Sequence, residues 1–237
     1  MSVRNAMILG AGLGKRMQHL TKDRPKPLVN VRQKPLIDHV LGRLEEIEID
    51  KVVVNVHYKA DQLEKHLAHR RAPNIVISDE RKELLDTGGG ITKALANFGQ
   101  NPFLVHNSDS IWIEGAGSSL RRLTKRWDSE MMDALLLLAS TTTSIGYSGQ
   151  GDFIMDPDGK LIRRPEREIA PYVYAGVSIL HPRLFKGRKV TRFSLNEVWN
   201  QALEADRLYG LRHEGVWMHI GSPDAVSDAE AYVEEIS

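Results

Sequence analysis

Leu9-Gly10-Ala11-Gly12-Leu13-Gly14-Lys15-Arg16-Met17 follows directly on the apolar run that starts at Ala6. Glycines in such a turn let backbone N–H groups approach an anion closely, and a helix after the turn would add a favourable dipole. Two phosphate-binding readings fail on spacing. A Walker loop requires four residues between its first glycine and Gly-Lys, then Ser or Thr. Here three residues separate Gly10 from Gly14-Lys15, and Arg16 comes next. A dinucleotide fingerprint starting at Gly10 or Gly12 calls for glycine or alanine at Lys15 or Met17 respectively, and neither position complies.

Downstream, Thr21-Lys22-Asp23-Arg24-Pro25-Lys26-Pro27-Leu28 sets a lysine between two prolines. Prolines fix φ and restrict the residue before them, so Lys26 rides on a stiffened segment. A cation set in advance suits a phosphate that must be held throughout a reaction. Read alone, the tripeptide also fits a surface lysine in a proline turn.

Taken together, Leu9 to Met17 and Pro25-Lys26-Pro27-Leu28 resemble the signature of the sugar-1-phosphate nucleotidyltransferases. Gly10 stands where many members carry alanine. The resemblance implies a Rossmann-like α/β nucleotidyltransferase fold, with a mixed, mostly parallel sheet flanked by helices. It also implies attack of a sugar phosphate on the α-phosphorus of a nucleoside triphosphate, with release of pyrophosphate. Leu85-Asp86-Thr87-Gly88-Gly89-Gly90 is similar to the family's base-binding loop. Asn107-Ser108-Asp109 stands where the family places its metal-binding Asp. Tyr174-Ala175-Gly176-Val177 resembles the strand along the sugar, and Trp217-Met218-His219-Ile220-Gly221-Ser222 the last site motif. Chain length, the Thr-Gly-Gly-Gly loop, Gly151-Asp152-Phe153 and Ser178-Ile179-Leu180-His181-Pro182 look most like the N-acetylmuramate α-1-phosphate uridylyltransferase subgroup, which serves cell-wall (peptidoglycan) recycling.

From that resemblance, Leu9, Gly10, Ala11, Gly12 and Gly14 are nucleotide-binding, with Thr87 and Gly88 at the base. Arg16 offers its fork of donors to the departing phosphates, and Lys26 meets the phosphate at the reacting centre. Asn107, Asp152 and the backbone at Gly176 are sugar-binding candidates, although Asp152 fits a loop cap equally well. Asp109 is the metal candidate, because Mg²⁺ prefers a hard carboxylate oxygen. The family usually supplies a second carboxylate where His219 stands. Imidazole is a poor Mg²⁺ ligand but acceptable for Mn²⁺ or Zn²⁺. His219 then ligates a softer metal, contacts metal-bound water, or leaves Asp109 alone to anchor the ion; loss of activity is the fourth reading. The attacking oxygen is already ionised, so no general base is needed.

Beyond the motifs, apolar runs alternate with helical spacing. Strands are expected at Ala6 to Leu9, Val52 to Val56, Ile75 to Ile77, Phe103 to Val105, Ala134 to Ala139, Tyr172 to Leu180 and Trp217 to Ile220. Helices are expected at Leu36 to Leu44 behind Pro35, around Leu63 and Leu67, from Ile91 after the glycine run, and over Leu120 to Trp127, Leu195 to Ala205 and Pro223 to Ile236. This order implies a largely parallel sheet between helices. After about residue 140 the rhythm changes, and Asp156-Pro157-Asp158-Gly159 is a turn between short strands. One domain is expected over 1–237, with a nucleotide-binding half to about residue 140 and a smaller, β-rich sugar-binding half from 141.

Composition narrows the function classes. With 32 Lys and Arg against 31 Asp and Glu, the net charge of +1 gives no broad cationic field, which argues against a nucleic-acid or membrane-surface protein. The absence of cysteine removes disulfides, thiolate metal sites and a Cys nucleophile. No apolar run approaches the length of a membrane span or a signal h-region. The expectation is a cytoplasmic enzyme, monomer or homodimer, whose partners are a nucleoside triphosphate, a sugar 1-phosphate and Mg²⁺ or Mn²⁺. The enzymatic alternatives are mannose- or glucose-1-phosphate nucleotidyltransferases using GTP, dTTP or UTP. An inactive nucleotide-sugar sensor is the alternative of another class.

Overall fold

The computed structural model describes residues 3–236. Strand β1 (Asn5–Leu9) leads into the glycine turn. A short hairpin, β2 (Asn30–Val31) with β3 (Lys34–Pro35), delivers the chain to helix α1 (Leu36–Glu46). Strand β4 (Lys51–Val56), helix α2 (Ala60–Leu67), strand β5 (Asn74–Asp79) and helix α3 (Asp86–Ala94) follow. Next come β6 (Phe103–Asn107), β7 (Ser110–Ile113), α4 (Ser119–Arg126) and β8 (Ala134–Ser140). The remainder is β9 (Phe153–Met155), β10 (Leu161–Arg163), β11 (Tyr172–Leu180), α5 (Leu195–Glu204), β12 (Leu208–Arg212), β13 (Val216–His219) and α6 (Pro223–Glu235).

Alternation along the central strands explains why they read as unbroken apolar runs. Ala6 and Ile8, Val52 and Val54, and Leu104 face one apolar layer, closed by Ile37, Leu41 and Leu44 of α1 and Leu63 of α2. Met7, Val53 and Val105 face the other, closed by Ile91 of α3 and Val198 and Trp199 of α5. Both sheet faces are covered, so neither face of these strands needs polar residues.

One sheet runs through both halves of the chain. Strands β5, β4, β1 and β6 are parallel neighbours in that order. Next to β6 lies β11, antiparallel, and β11 in turn pairs antiparallel with β8. Strand β12 then pairs parallel with β8, while the β9–β10 hairpin extends the sheet through Tyr172 and Phe153. The chain steps outward from β1 to β4 and β5, then returns to the opposite side of β1 for β6. That reversal opens a crevice beyond the carboxyl ends of β1 and β6.

Three local readings are corrected. The glycine turn continues into a 3-10 segment (Lys15–Thr21) with non-helical backbone at Gln18, not into an α-helix. Helix α3 begins at Asp86 and contains the glycine run instead of following it. Strands β7 and β12 lie where no strand was expected. Among the described residues, no helix is long and apolar enough to cross a membrane.

Candidate active site

A cavity of about 480 Å³ occupies the crevice. Its floor is the glycine turn. Gly14 holds φ +63°, and a Cβ there would sit 2.9 Å from Thr21 Cγ2 and 3.2 Å from Lys26 Cβ. The amides of Ala11, Gly12, Leu13 and Gly14 donate to no group among the described residues. They are free to meet an anion. Leu9, Gly10, Arg16 and Lys26 line the same space.

Lys26 sits in a short turn between its prolines, where Leu28 N–H donates to Pro25 O at 2.9 Å and Val29 N–H to Lys26 O at 3.0 Å. This turn aims the side chain inward, and Nζ meets Asp109 Oδ2 at 2.6 Å. Lys26 and Asp109 side chains are only 12% and 17% exposed, so water screens the pair little. Burial pushes the Asp109 carboxyl up. The Lys26 ammonium and then His219 outweigh it and hold the group below the ordinary carboxylate range.

Strand β13 pairs with β7 so that His219 faces Ser110, and Ile220 N–H donates to Asp109 O at 3.0 Å. The His219 ring stacks on Trp217, with centroids 5.6 Å apart. Its Nε2 lies 2.8 Å from where a Gly221 Cβ would stand, and an Arg16 Nη1 lies 3.7 Å from that same point. Burial lowers the His219 pKa; Asp109 opposes this, while Lys26 and Arg16 reinforce it. Arg16, Lys26 and Asp109 thus share one end of the cavity, with His219 behind its lining residue Gly221. Among the described residues, no group of three or more His, Asp or Glu is arranged to hold a metal.

The other end is walled by Leu84, Asp86, Thr87 and Arg192. A second compartment of about 290 Å³ adjoins it, sharing Leu9, Asp86, Thr87 and Asn107 and reaching Asp152. Asp152 Oδ2 accepts from Tyr174 N–H at 2.9 Å, so this residue is tied to β11 while lining the compartment.

Three expected residues line neither space: His219, which stands behind the lining residue Gly221, and two glycines. Gly88 N–H donates to Phe193 O at 3.0 Å, and a Cβ on Gly88 would lie 2.3 Å from the Phe193 ring. This glycine supports the wall from behind. Gly176, at φ +81°, forms the irregularity in β11, and its Cβ would lie 2.1 Å from Ser110 Oγ. Its missing side chain lets β11 approach Ser110 of β7.

A buried network was missed. Gly10 N–H donates to Asn55 Oδ1 at 2.7 Å, Asn55 Nδ2 to Glu80 Oε1 at 2.7 Å, and Leu85 N–H to Glu80 Oε2 at 3.1 Å. It ties the glycine turn to the loop before α3. Asn55, the polar residue in Val52-Val53-Val54-Asn55-Val56, was the sequence signal for it.

The nucleotidyl transferase family model matches residues 5–236. An N-acetylmuramate alpha-1-phosphate uridylyltransferase of Caulobacter vibrioides is 48% identical, with 97% of each chain covered. One from Neisseria meningitidis is 33% identical over 95% of this chain and 96% of its own. Among solved structures, HddC from Yersinia pseudotuberculosis complexed with GMP-PN superposes with TM-score 0.75 at 20% identity, covering 98% of this chain and 100% of that one. The inositol-1-phosphate CTP transferase from T. maritima superposes with TM-score 0.77 at 15% identity, over 99% and 98%. Sequence and fold agree end to end: the chain belongs to the nucleotidyl transferase family.

Proposed function

We propose that the chain transfers a uridylyl group from UTP to N-acetylmuramate α-1-phosphate, forming the UDP-sugar and pyrophosphate in the cytoplasmic recycling of cell-wall amino sugars. The observation that carries this reading is the end-to-end 48% identity with the Caulobacter uridylyltransferase. A monomer or homodimer acting without nucleic acid or membrane is consistent with it.

In this reading the free amides around Gly12 and Gly14 take the triphosphate, and Arg16 takes the β- and γ-phosphates that depart. Lys26 turns from Asp109 to the phosphate at the reacting centre and orients the incoming oxygen. Phosphoryl transfer asks little else of a protein than positioning and charge neutralisation. Thr87, braced by Gly88, faces the base; Asn107, beside Gly176, and Asp152 face the sugar. Asp109 supplies one hard oxygen donor and His219 an imidazole beside it. Two protein donors fit an ion that is otherwise held by phosphate oxygens and water. Such an ion, Mg²⁺ or Mn²⁺, supplies polarisation and charge neutralisation of the phosphates when bound.

Pyrophosphate release tests the reading, with UTP, GTP and dTTP each paired against N-acetylmuramate, mannose and glucose 1-phosphates. The UTP–muramate pair is expected to give the highest kcat/KM. Preference for GTP with mannose 1-phosphate would replace the substrate assignment, and no release with any pair would favour the sensor.

A further inference from the structure

The smaller compartment has the polarity of a neutral sugar site but the wrong charge for a sugar acid. Its charged lining groups are two carboxylates, Asp86 and Asp152, and no lysine or arginine lines it. N-acetylmuramate differs from N-acetylglucosamine by a lactyl ether that ends in a carboxylate. An ionised carboxylate brought beside two others needs a cation within reach.

Most arginines nearby are committed elsewhere. Arg163 Nη2 donates to Asn196 Oδ1 at 3.0 Å and Asn200 Oδ1 at 2.8 Å, with its guanidinium 4.7 Å from the Phe153 ring centroid. Arg164 is tied to the carbonyls of Gly151 at 3.1 Å and Glu168 at 2.9 Å. Arg188 pairs with Glu197 at 3.3 Å and lies over the Phe193 ring. Arg192 differs. It lines the main cavity beside Asp86 and Thr87, the residues both spaces share, and it pairs with no group among the described residues.

The segment that carries Arg192 is held firmly. Phe193 N–H donates to Leu85 O at 3.2 Å, and Phe193 O accepts from Gly88 N–H at 3.0 Å. Two residues beyond Arg192, Ser194 already lines the smaller compartment. Arg192 is exposed and lines the main cavity, and its backbone is held on one side, two residues from the smaller compartment, so its long side chain can reach the residues both spaces share.

We infer that Arg192 selects the acidic sugar phosphate, its guanidinium pairing with the lactyl carboxylate of N-acetylmuramate 1-phosphate. The inference rests on the uridylyltransferase reading above. A guanidinium meets a carboxylate through two parallel N–H donors, a geometry that lysine does not reproduce.

Steady-state kinetics on wild type, Arg192→Gln and Arg192→Lys test it, with N-acetylmuramate 1-phosphate as acceptor and N-acetylglucosamine 1-phosphate as acceptor or competing inhibitor. Losing a charge-assisted contact is expected to raise the muramate KM about tenfold or more in Arg192→Gln, with Arg192→Lys intermediate. The KM for UTP and the affinity for the glucosamine compound are expected to hold within about twofold, because neither meets the lost charge. Equal weakening of both sugar phosphates, a raised KM for UTP, or an unchanged muramate KM would each overturn the assignment of Arg192. Wild-type protein that does not turn over the muramate compound would instead overturn the substrate reading, and the role of Arg192 with it.

Discussion

Lys26 and Asp109 neutralise each other at 2.6 Å, although one is expected on a phosphate and the other on a metal ion. The pair holds both groups inside the cavity in orientations from which each can be drawn to a ligand. Lys26→Ala is expected to lower turnover on the order of 10²–10³-fold while the fold persists, read by initial rates beside a circular-dichroism melt. Near-normal turnover would remove Lys26 from the reacting centre. His219→Asp restores hard oxygen beside Asp109 and is expected to raise the Mg²⁺-supported rate relative to the Mn²⁺-supported rate. An unchanged ratio would place His219 outside the shell of the ion. At this scale the motifs made much of the site readable. Gly12, Gly14, Arg16, Lys26, Asp109 and His219 stand in ordered patterns and come together in space. Arg192 was not readable, because nothing in its spacing separates it from Arg188 and Lys189. Its place depends on Phe193 seating against α3.

Helix α3 carries the glycines that propensity would exclude, each costing about 1 kcal/mol relative to alanine in a helix interior. Packing overrides that cost. A Cβ at Gly89 would lie 2.1 Å from Thr191 O, and one at Gly90 2.7 Å from Glu80 Oε1. The sequence therefore pointed to a helix after the glycines, whereas contacts 10 to over 100 residues away in the chain draw the first turn back to Asp86. Strand β12 escaped notice for a related reason: Gly210 interrupts Leu208-Tyr209-Gly210-Leu211-Arg212, and its missing side chain makes room for Leu138 and Leu161. Glu80, just after β5, joins β4 and the start of α3 through buried hydrogen bonds to Asn55 and Leu85, and Asn55 extends the network to the glycine turn. Glu80→Ala strands the donors of Asn55 and Leu85 and is expected to cost about 2–4 kcal/mol. For a chain of this size that lowers Tm by roughly 5–15 °C in differential scanning calorimetry. A shift below about 2 °C would show that the network contributes little to folding.

Across the whole molecule, the Val52 to Val56 run, apolar but for Asn55, made the parallel core legible, because a strand covered on both faces leaves no polar alternation. The antiparallel insertion of β11 beside β6 was not legible, since pairing partners are chosen by surfaces distant in sequence. Burial of histidines gives the fold a pH dependence. His106 stacks on Trp112 and its Nδ1 lies 2.7 Å from Asn107 O; burial pushes its pKa down to about 4. Burial also lowers His39 and His213. A folded pKa below the unfolded value means that stability is full above about pH 6.5 and is lost as pH falls toward 4, by up to about 3 kcal/mol for His106 alone. Tm is expected to decline over that window, and less steeply in His106→Gln; parallel profiles would refute a buried neutral imidazole. The most direct test of the chemistry is ³¹P NMR of the protein with UTP, N-acetylmuramate 1-phosphate and Mg²⁺. The expected result is conversion of the triphosphate resonances into free pyrophosphate together with the paired signals of a nucleoside diphosphate sugar. Unchanged triphosphate, or release of inorganic phosphate alone, would contradict transfer at the α-phosphorus.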